Sequence, residues 1–138
     1  MVENLTKLSQ LLKLGGSRLT VPRKLVLEAL SEEEPISMHA LIQKIGNKAD
    51  RASIYRTVKL YEDLGIIQRI NYGWKYKLEL TDKFNVHHHH MSCTKCGKVI
   101  EINENSIENF ISRTAGENGF VTISHQIEIQ GYCSTCAA

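Results

Sequence analysis

Residues 50–80 read DRASIYRTVKLYEDLGIIQRINYGWKYKLEL, a stretch that combines two kinds of hydrophobic pattern. Apolar residues recur at helical spacing in its first half, which predicts a helix from about Asp50 to Leu64. Two strand-like runs follow, Ile66–Asn71 and Trp74–Leu80, with Gly73 in the turn between them. The stretch therefore predicts a helix that leads directly into a β-hairpin.

Three shorter helical patterns precede this stretch. Apolar spacing and flanking capping residues predict helices at Leu5–Leu12, Arg23–Leu30 and Ser37–Ile45. Pro22 lies in the first turn of the second helix, where proline is tolerated. Three helices, a longer fourth helix and a hairpin together make a winged helix-turn-helix domain, which we predict for residues 1–81.

The predicted fourth helix has two distinct faces. One is an apolar stripe for the core, formed by Ile54, Val58, Tyr61 and Leu64. The other carries small, aromatic and basic side chains, namely Ala52, Tyr55, Arg56 and Lys59. Such a face suits the major groove of DNA, where arginine binds guanine or phosphate and tyrosine contacts a thymine methyl group. A solvated helix surface is the alternative, and Arg69, Lys75 and Lys77 on the hairpin favour DNA.

The rest of the chain mixes strands with one helix. Asp82–Val86 is a short polar segment that we predict as a hinge, and residues 87–138 follow as a second domain. Within that domain, the patterns predict a helix at Ser106–Ala115 and strands at Val99–Ile102, Phe120–Ile123 and Gln126–Gln130. The predicted fold class is therefore α+β, with an N-terminal winged helix-turn-helix domain and a C-terminal α/β domain.

Charge is divided unevenly between the two parts. The chain has 138 residues, of which 42% are hydrophobic, and this composition excludes global disorder. Residues up to Thr81 contain thirteen Lys and Arg against nine Asp and Glu, whereas the remainder contains four against six. The first part thus suits a polyanion as partner and the second part suits a cation.

No segment indicates a membrane or secreted protein. The apolar runs are far shorter than the roughly 18–20 residues that a membrane span needs. Met1–Gln10 lacks the layout of a secretory signal. We therefore expect a cytoplasmic protein, in which disulfides are a poor explanation for four cysteines.

The four cysteines form two Cys-x-x-Cys pairs, Cys93/Cys96 and Cys133/Cys136. Each pair places two sulfur atoms on one turn, and a fold that joins the turns makes a tetrahedral thiolate site. Zn²⁺ is the metal that such a closed site suits, and it leaves no open position for catalysis. The alternatives are disulfides or a thioredoxin-like redox pair, and the latter normally lies near a βαβ unit that this pattern lacks.

Four consecutive histidines, His87–His90, suggest further metal sites. In a strand, alternate side chains point to opposite faces, so His88 and His90 share one face and His87 and His89 the other. Candidate partners from elsewhere in the sequence are Glu79 and Glu101 for one pair, and Glu108 and His125 for the other. Mixed nitrogen and oxygen ligands suit Zn²⁺, Fe²⁺ or Mn²⁺ without choosing among them. An affinity tag is the alternative, which the internal position of the run disfavours.

Taken together, these motifs resemble the ferric uptake regulator (Fur) superfamily over nearly the whole chain. The segments that carry the resemblance are Leu19–Arg23, Ala52–Val58, His87–Gly97 and Gly131–Cys133. It implies a homodimeric, metal-dependent repressor that binds double-stranded operator DNA, is not an enzyme and dimerises through its C-terminal domain. The implied DNA-binding residues are Arg18, Ala52, Ser53, Tyr55, Arg56 and Lys59, with Tyr55 and Arg56 in the groove and Arg18 near the minor groove.

The resemblance also implies three metal sites. The structural zinc site comprises Cys93, Cys96, Cys133 and Cys136. The regulatory site, for Fe²⁺, Mn²⁺ or Zn²⁺ near the domain junction, comprises Glu79, His88, His90 and Glu101. The second site, within the dimerisation domain, comprises His87, His89, Glu108 and His125.

The chain departs from the family pattern at two positions that bear on its metal sites. Many members have a histidine just before the third helix, where this chain reads Glu34-Pro35-Ile36-Ser37, so either Glu34 substitutes or the regulatory site loses a ligand. Position 89, often aspartate in iron regulators, is His89 here. The missing histidine disfavours peroxide sensing by histidine oxidation, and the zinc-sensing branch often uses an extra cysteine that this chain lacks.

A metal-responsive repressor of metal-uptake or homeostasis genes is therefore the leading hypothesis. Peroxide- or zinc-sensing regulators of the same family are the nearest alternatives. A small zinc hydrolase is a further alternative, but the chain has no His-Glu-x-x-His motif. A zinc-buffering or interaction module remains a third possibility.

Overall fold

The computed structural model describes all 138 residues, and its internal contacts divide them into two units. The first unit is Met1–Val86 and the second is His87–Ala138. No helix in either unit has the length and apolar character needed to cross a membrane.

The first unit contains four helices followed by a two-stranded antiparallel hairpin. The helices are α1 (Val2–Leu14), α2 (Val21–Glu32), α3 (Met38–Ile45) and α4 (Arg51–Asp63), with a short 3-10 turn at Gly46–Lys48 between the last two. The hairpin consists of β1 (Ile67–Tyr72) and β2 (Lys75–Leu80). These elements lie where the sequence predicts them, with ends that differ by a few residues.

Polar caps determine where α3 and α4 begin. The Ser37 hydroxyl accepts a hydrogen bond of 3.1 Å from the Ala40 N–H, and the Asp50 carboxylate accepts one of 3.0 Å from the Ser53 N–H. Each bond satisfies an amide that has no acceptor within its own helix. The two caps therefore fix the start of the helix-turn-helix pair.

One apolar core joins all the elements of the first unit. It includes Leu8 and Leu12 of α1, Leu27 and Leu30 of α2, Leu41 of α3, Ile54 and Tyr61 of α4, and Leu78 of the hairpin. The Tyr61 hydroxyl donates a hydrogen bond of 2.6 Å to the Arg23 carbonyl oxygen, and burial raises the pKa of this phenol. The α4 stripe therefore lies inward, as its spacing predicts, which leaves the opposite face in solvent.

The segment predicted as a hinge, Asp82–Val86, is largely a turn and belongs to the first unit. The N–H groups of Phe84 and Asn85 donate to the Thr81 carbonyl oxygen at 2.8 and 3.1 Å, and the Phe84 ring packs against the core. The Asn85 amide also donates to the Glu34 carboxylate at 2.5 Å. One aromatic side chain and these hydrogen bonds therefore connect the segment to the first unit.

The second unit is a three-stranded sheet with one long helix. Its elements are β3 (His89–Cys93), β4 (Val99–Ile102), α5 (Asn105–Glu117), β5 (Glu128–Gly131) and a single-turn helix α6 (Ser134–Ala137). The strand order is β4-β3-β5, with β3 antiparallel to β4 and parallel to β5. This arrangement places β3, which begins within the histidine run, at the centre of the sheet.

Two strand predictions in the second unit need correction. Phe120–Ile123 is not a strand, although its side chains alternate, because the three-stranded sheet offers it no neighbour within this chain. The last strand covers Glu128–Gly131 rather than Gln126–Gln130. Strand β3 begins at His89, so His87 and His88 come just before it.

Candidate metal centres and DNA-facing helix

The four cysteines come together at one end of the neighbouring strands β3 and β5. Cys93 ends β3, Cys96 lies in the turn that follows, Cys133 precedes α6 and Cys136 lies within it. The parallel pairing of β3 with β5 places Cys93 opposite Gly131, which brings the second Cys-x-x-Cys turn beside the first. All four sulfur atoms lie within 4.8 Å of one another, and none forms a disulfide.

Local hydrogen bonds shift the pKa values of two of these thiols in opposite directions. The backbone N–H of Cys133, and then that of Cys96, lower the pKa of Cys93 to about 6, which favours its thiolate. The hydrogen bond with Cys133 raises the pKa of Cys136 to about 12. Four sulfur donors in a closed set fit Zn²⁺, which binds thiolates in a tetrahedron.

A second cluster surrounds Glu108 on α5. Its carboxylate lies 2.5 Å from His89 Nε2, 2.7 Å from His125 Nε2 and 3.5 Å from His87 Nε2. The Nε2 atoms of His87 and His125 are 3.0 Å apart. The four side chains therefore converge within 4.8 Å, entirely from residues of the second unit.

The environment of this cluster favours a cation. Burial alone would raise the pKa of Glu108, but the hydrogen bond from His89 and the charge of His125 lower it overall. The Ile127 N–H donates to His89 Nδ1 at 3.2 Å, so the other ring nitrogen faces the cluster. Because Nδ1 accepts this hydrogen bond, a neutral His89 carries its proton on Nε2 and donates it to the Glu108 carboxylate at 2.5 Å. Three imidazoles and one carboxylate fit a divalent transition metal.

His88 and His90 form the other histidine pair. Their ring centroids are 4.7 Å apart, and His88 Nε2 lies 3.9 Å from Glu101 Oε1. Glu101 lies opposite His90 on β4, and its side chain is 60% exposed. The histidine run is thus divided into two pairs, His87 with His89 and His88 with His90. Glu101 lies near the second pair, but too far from His88 for a hydrogen bond.

Glu79, the remaining predicted regulatory residue, belongs to the first unit. It lies near the end of β2, opposite Gln68 of β1. The Gln68 amide donates a hydrogen bond of 2.7 Å to the Glu79 carboxylate. Because a buried charge is costly unless it is paired or hydrogen-bonded, this contact helps to keep the carboxylate in place.

Glu34, considered above as a substitute regulatory ligand, is hydrogen-bonded within the first unit. One carboxylate oxygen accepts from the Leu80 N–H at 2.7 Å, and the other accepts from the Asn85 amide at 2.5 Å. These bonds connect the α2–α3 loop to the strand that carries Glu79. The sequence analysis did not point to Gln68 and considered Glu34 only as a ligand, because the hydrogen bonds of both residues join positions distant in the chain.

The outer face of α4 carries the predicted DNA-binding side chains. Ala52, Tyr55, Arg56 and Lys59 are exposed, whereas Ile54, Val58 and Tyr61 are buried. Ser53 is half-buried, and its hydroxyl donates to Asp50 at 2.6 Å and accepts from Arg56 at 3.2 Å. The Ser53 hydroxyl also lowers the pKa of Asp50.

Arg18, the remaining predicted DNA-binding residue, is exposed and lies before α2. Its carbonyl oxygen accepts a hydrogen bond from the Arg23 guanidinium.

The sequence pattern of the family described as "Ferric uptake regulator family" matches residues 15–130. The chain belongs to this family. The membership confirms the predicted α+β fold class and the predicted functional class, a metal-responsive transcriptional regulator.

Ferric uptake regulators from several bacteria are similar over nearly their full length. The ferric uptake regulation protein of Yersinia pestis is 33% identical, over 95% of this chain and 91% of its own. The structure of the Vibrio cholerae ferric uptake regulator is 30% identical, covers 91% of this chain and 98% of its own, and superposes with a TM-score of 0.73. The Pseudomonas aeruginosa regulator, solved with manganese, is 26% identical over 97% and 99%, with a TM-score of 0.76.

Proposed function

We propose that this member of the ferric uptake regulator family is a homodimeric repressor whose α4 binds operator DNA only when a divalent metal occupies a regulatory site. We assign Glu79, His88, His90 and Glu101 to that site. The main support is the sorting of the histidine run: His87 and His89 lie with Glu108 and His125, while His88 and His90 form a separate pair. The first group lies within the second unit, whereas Glu79 is on the first.

In the proposed metal-dependent switch, Glu79 connects the regulatory metal to the hairpin beside α4. Glu79 lies on the hairpin that packs next to α4, and the Arg69 guanidinium of the same hairpin pairs with Glu62 of α4. A bound divalent ion supplies the coordination bonds that hold its ligands together. Ligands from both units would then limit how far α4 can move relative to the second unit.

In a dimer, a restriction on the movement of α4 would control DNA binding. Two recognition helices must match half-sites about 34 Å apart along the duplex. If the two second units form the dimer, the placement of each α4 relative to them sets this spacing. Shifting such an equilibrium from 1:99 to 99:1 needs about 5.5 kcal/mol of differential binding. The same role implies action in the cytoplasm, where we expect the operator.

An exposed apolar surface of the second unit supports the homodimer. Phe110 of α5 and Phe120, Val121 and Ile123 of the following segment all extend into solvent, and Ile123 is 99% exposed. With α5, the segment encloses a cleft of about 580 Å³. An alternating apolar segment without a neighbouring strand is suited to pairing with its counterpart in a second copy.

We assign Zn²⁺ to the four cysteines and a divalent ion to each histidine-containing set. Thiolates prefer Zn²⁺, whereas a set of imidazole and carboxylate ligands accepts Fe²⁺, Mn²⁺ or Zn²⁺. The cysteine site has a structural role, because a closed set of four protein ligands holds two turns together. The cluster around Glu108 supports the fold of the second unit.

Operator selection from random duplexes tests the proposal, with protein that keeps zinc at the four cysteines, is stripped of metal at the histidine-containing sites and is then loaded with Fe²⁺, Mn²⁺ or Zn²⁺. We expect one metal to enrich a sequence with two-fold symmetry and the stripped protein to enrich none. Enrichment that is equal with and without metal would contradict the switch. No enrichment under any condition would contradict the DNA-binding role itself.

A further inference from the structure

The loop between α2 and α3 pairs with strand β2 through an antiparallel bridge. The Ile36 N–H donates to the Leu78 carbonyl oxygen at 2.9 Å, and the Leu78 N–H donates to the Ile36 carbonyl oxygen at 2.7 Å. Two residues further along β2, the Leu80 N–H donates to the carboxylate of Glu34 at 2.7 Å. The loop therefore holds the chain on both sides of Glu79, once by backbone and once by a side chain.

The Glu34 carboxylate also holds the segment that leads to the histidine run. The Asn85 amide donates to the other Glu34 oxygen at 2.5 Å and to the Leu80 carbonyl oxygen at 3.3 Å. Glu34, Leu80 and Asn85 thus form a closed set of three hydrogen bonds, which we call the Glu34 clamp. Leu80 follows Glu79 directly, and Asn85 is separated from His87 by one residue. The clamp therefore lies next in the chain to both groups of proposed regulatory ligands.

On its other side, the Glu34 clamp is close to the helix-turn-helix pair. Ser37, the cap of α3, comes three residues after Glu34, and Ile36 between them is buried in the core. Helix α3 leads through the turn at Gly46–Lys48 to α4. A loop this short, fixed at Ile36 and capped at Ser37, leaves little freedom between the clamp and the start of α3.

We propose that Glu34 is a positioning residue that couples the regulatory metal to the helix-turn-helix pair, and that it does not itself bind the metal. This inference rests on the proposed function, in which Glu79, His88 and His90 bind the ion. Metal binding fixes those ligands, and the Glu34 clamp makes the α2–α3 loop, and with it α3 and α4, move together with them. Without the clamp the ion still binds, but the helix pair follows it less closely.

The hydrogen bonds of Glu34 favour this role over metal binding. Each carboxylate oxygen accepts a hydrogen bond from the chain. Leu80 is buried, so a carboxylate that turned towards an ion would remove the acceptor of the Leu80 N–H, and a buried N–H without an acceptor is costly. The same movement would release the Asn85 amide. The clamp therefore stabilises Glu34 where it lies.

Separate measurements of metal binding and operator binding by Glu34→Ala test the proposal. The protein keeps zinc at the four cysteines, and circular dichroism confirms that it is folded at the assay temperature. Competition with a metal indicator gives the metal affinity without DNA, and the visible absorption of Co²⁺ at the histidine-containing sites reports the ligand set. Operator affinity with and without regulatory metal gives the coupling between metal and DNA.

We expect Glu34→Ala to keep the wild-type metal affinity and Co²⁺ spectrum, while the metal-induced gain in operator affinity falls about tenfold. Glu34→Gln, which retains one acceptor oxygen, should lose less of the gain, and Asn85→Ala should reproduce part of the loss. Glu33→Ala is the matched control, because this neighbouring carboxylate is exposed and pairs with Lys44. A purely structural role would lower thermal stability and leave the gain of the folded protein unchanged.

Two results would overturn the proposal. A changed Co²⁺ spectrum, or a metal affinity lowered about 10–100-fold, would make Glu34 a ligand or a residue that orients one. A wild-type gain in folded Glu34→Ala would show that the clamp does not couple metal to DNA. If Glu34→Ala does not fold, Glu34→Gln and Asn85→Ala give the same distinctions. Wild-type protein whose operator binding does not respond to metal would instead contradict the proposed function.

Discussion

The side-chain amide of Gln68 donates a hydrogen bond of 2.7 Å to the carboxylate of Glu79, directly across the β1–β2 hairpin. The two residues are register partners, so the contact follows from the strand pairing itself. It holds the carboxylate by one oxygen atom. If Glu79 is a regulatory ligand, Gln68 is the residue that positions it.

We predict that Gln68→Ala weakens metal binding at the regulatory site about 10–100-fold, the usual cost of losing a partner that orients a ligand. Competition with a metal indicator measures the affinity, and circular dichroism checks that the fold of the zinc-containing protein without regulatory metal is unchanged. Gln43→Ala is the matched control, since Gln43 is an exposed glutamine on α3 of the same unit. Equal metal affinity for both variants would show that the hydrogen bond plays no part in the site.

We predict that Cys93→Ser unfolds the second unit and prevents dimerisation. Structural zinc sites contribute roughly 10–16 kcal/mol of apparent binding free energy in small peptides, and a serine hydroxyl is a poor replacement for a thiolate. Zinc content, circular dichroism and sedimentation measure the outcome. Thr135→Ala alters a residue between Cys133 and Cys136 without removing a sulfur atom, and should resemble wild type. A Cys93→Ser dimer with full zinc content would rule out the structural role.

We predict that Arg56→Ala weakens operator binding while leaving the dimer and its metal content intact. A bidentate contact with guanine would cost about 1–3 kcal/mol, and the loss would disappear when that base pair is changed. If Arg56 contacts a phosphate, its loss would instead weaken binding to all sequences and make the binding constant less dependent on salt concentration. Arg113→Ala, on α5, is the control. Wild-type affinity for Arg56→Ala would mean that another face of α4 enters the groove.

We predict that Ile123→Asp converts the dimer into a monomer at micromolar concentration, because a carboxylate would be buried without a partner in the proposed interface. Analytical ultracentrifugation measures the mass. Leu14→Asp introduces the same charge at an exposed leucine of the first unit and should remain dimeric. A dimeric Ile123→Asp protein would place the interface elsewhere.

Local sequence patterns predicted the elements of the first unit well because capping residues and apolar spacing act over a few positions. Ser37, Asp50 and the stripe containing Ile54 all have the predicted roles. Non-local contacts explain the failures. Phe120–Ile123 has strand-like alternation but no neighbouring strand in its own chain.

In the candidate sites, too, local sequence patterns predicted some features, whereas others depend on contacts between distant residues. Repeated Cys-x-x-Cys spacing and the two-residue period of a strand were sufficient to group the cysteines and to separate His87 and His89 from His88 and His90. The hydrogen bonds that support Glu79 and Glu34 depend on hairpin register and loop packing. Neither leaves a short-range signal in the sequence, so they emerged only from the structure.

Operator affinity as a function of free metal concentration, compared between Glu79→Ala and His125→Ala, tests the central claim most directly. His125 is the matched control because it belongs to the cluster around Glu108, which lies within the second unit. Both proteins must first be shown to be folded dimers. We predict that Glu79→Ala binds the operator weakly at every metal concentration, whereas His125→Ala keeps the metal-dependent increase and mainly loses thermal stability or bound metal. A metal response that survives in Glu79→Ala and disappears in His125→Ala would contradict the account.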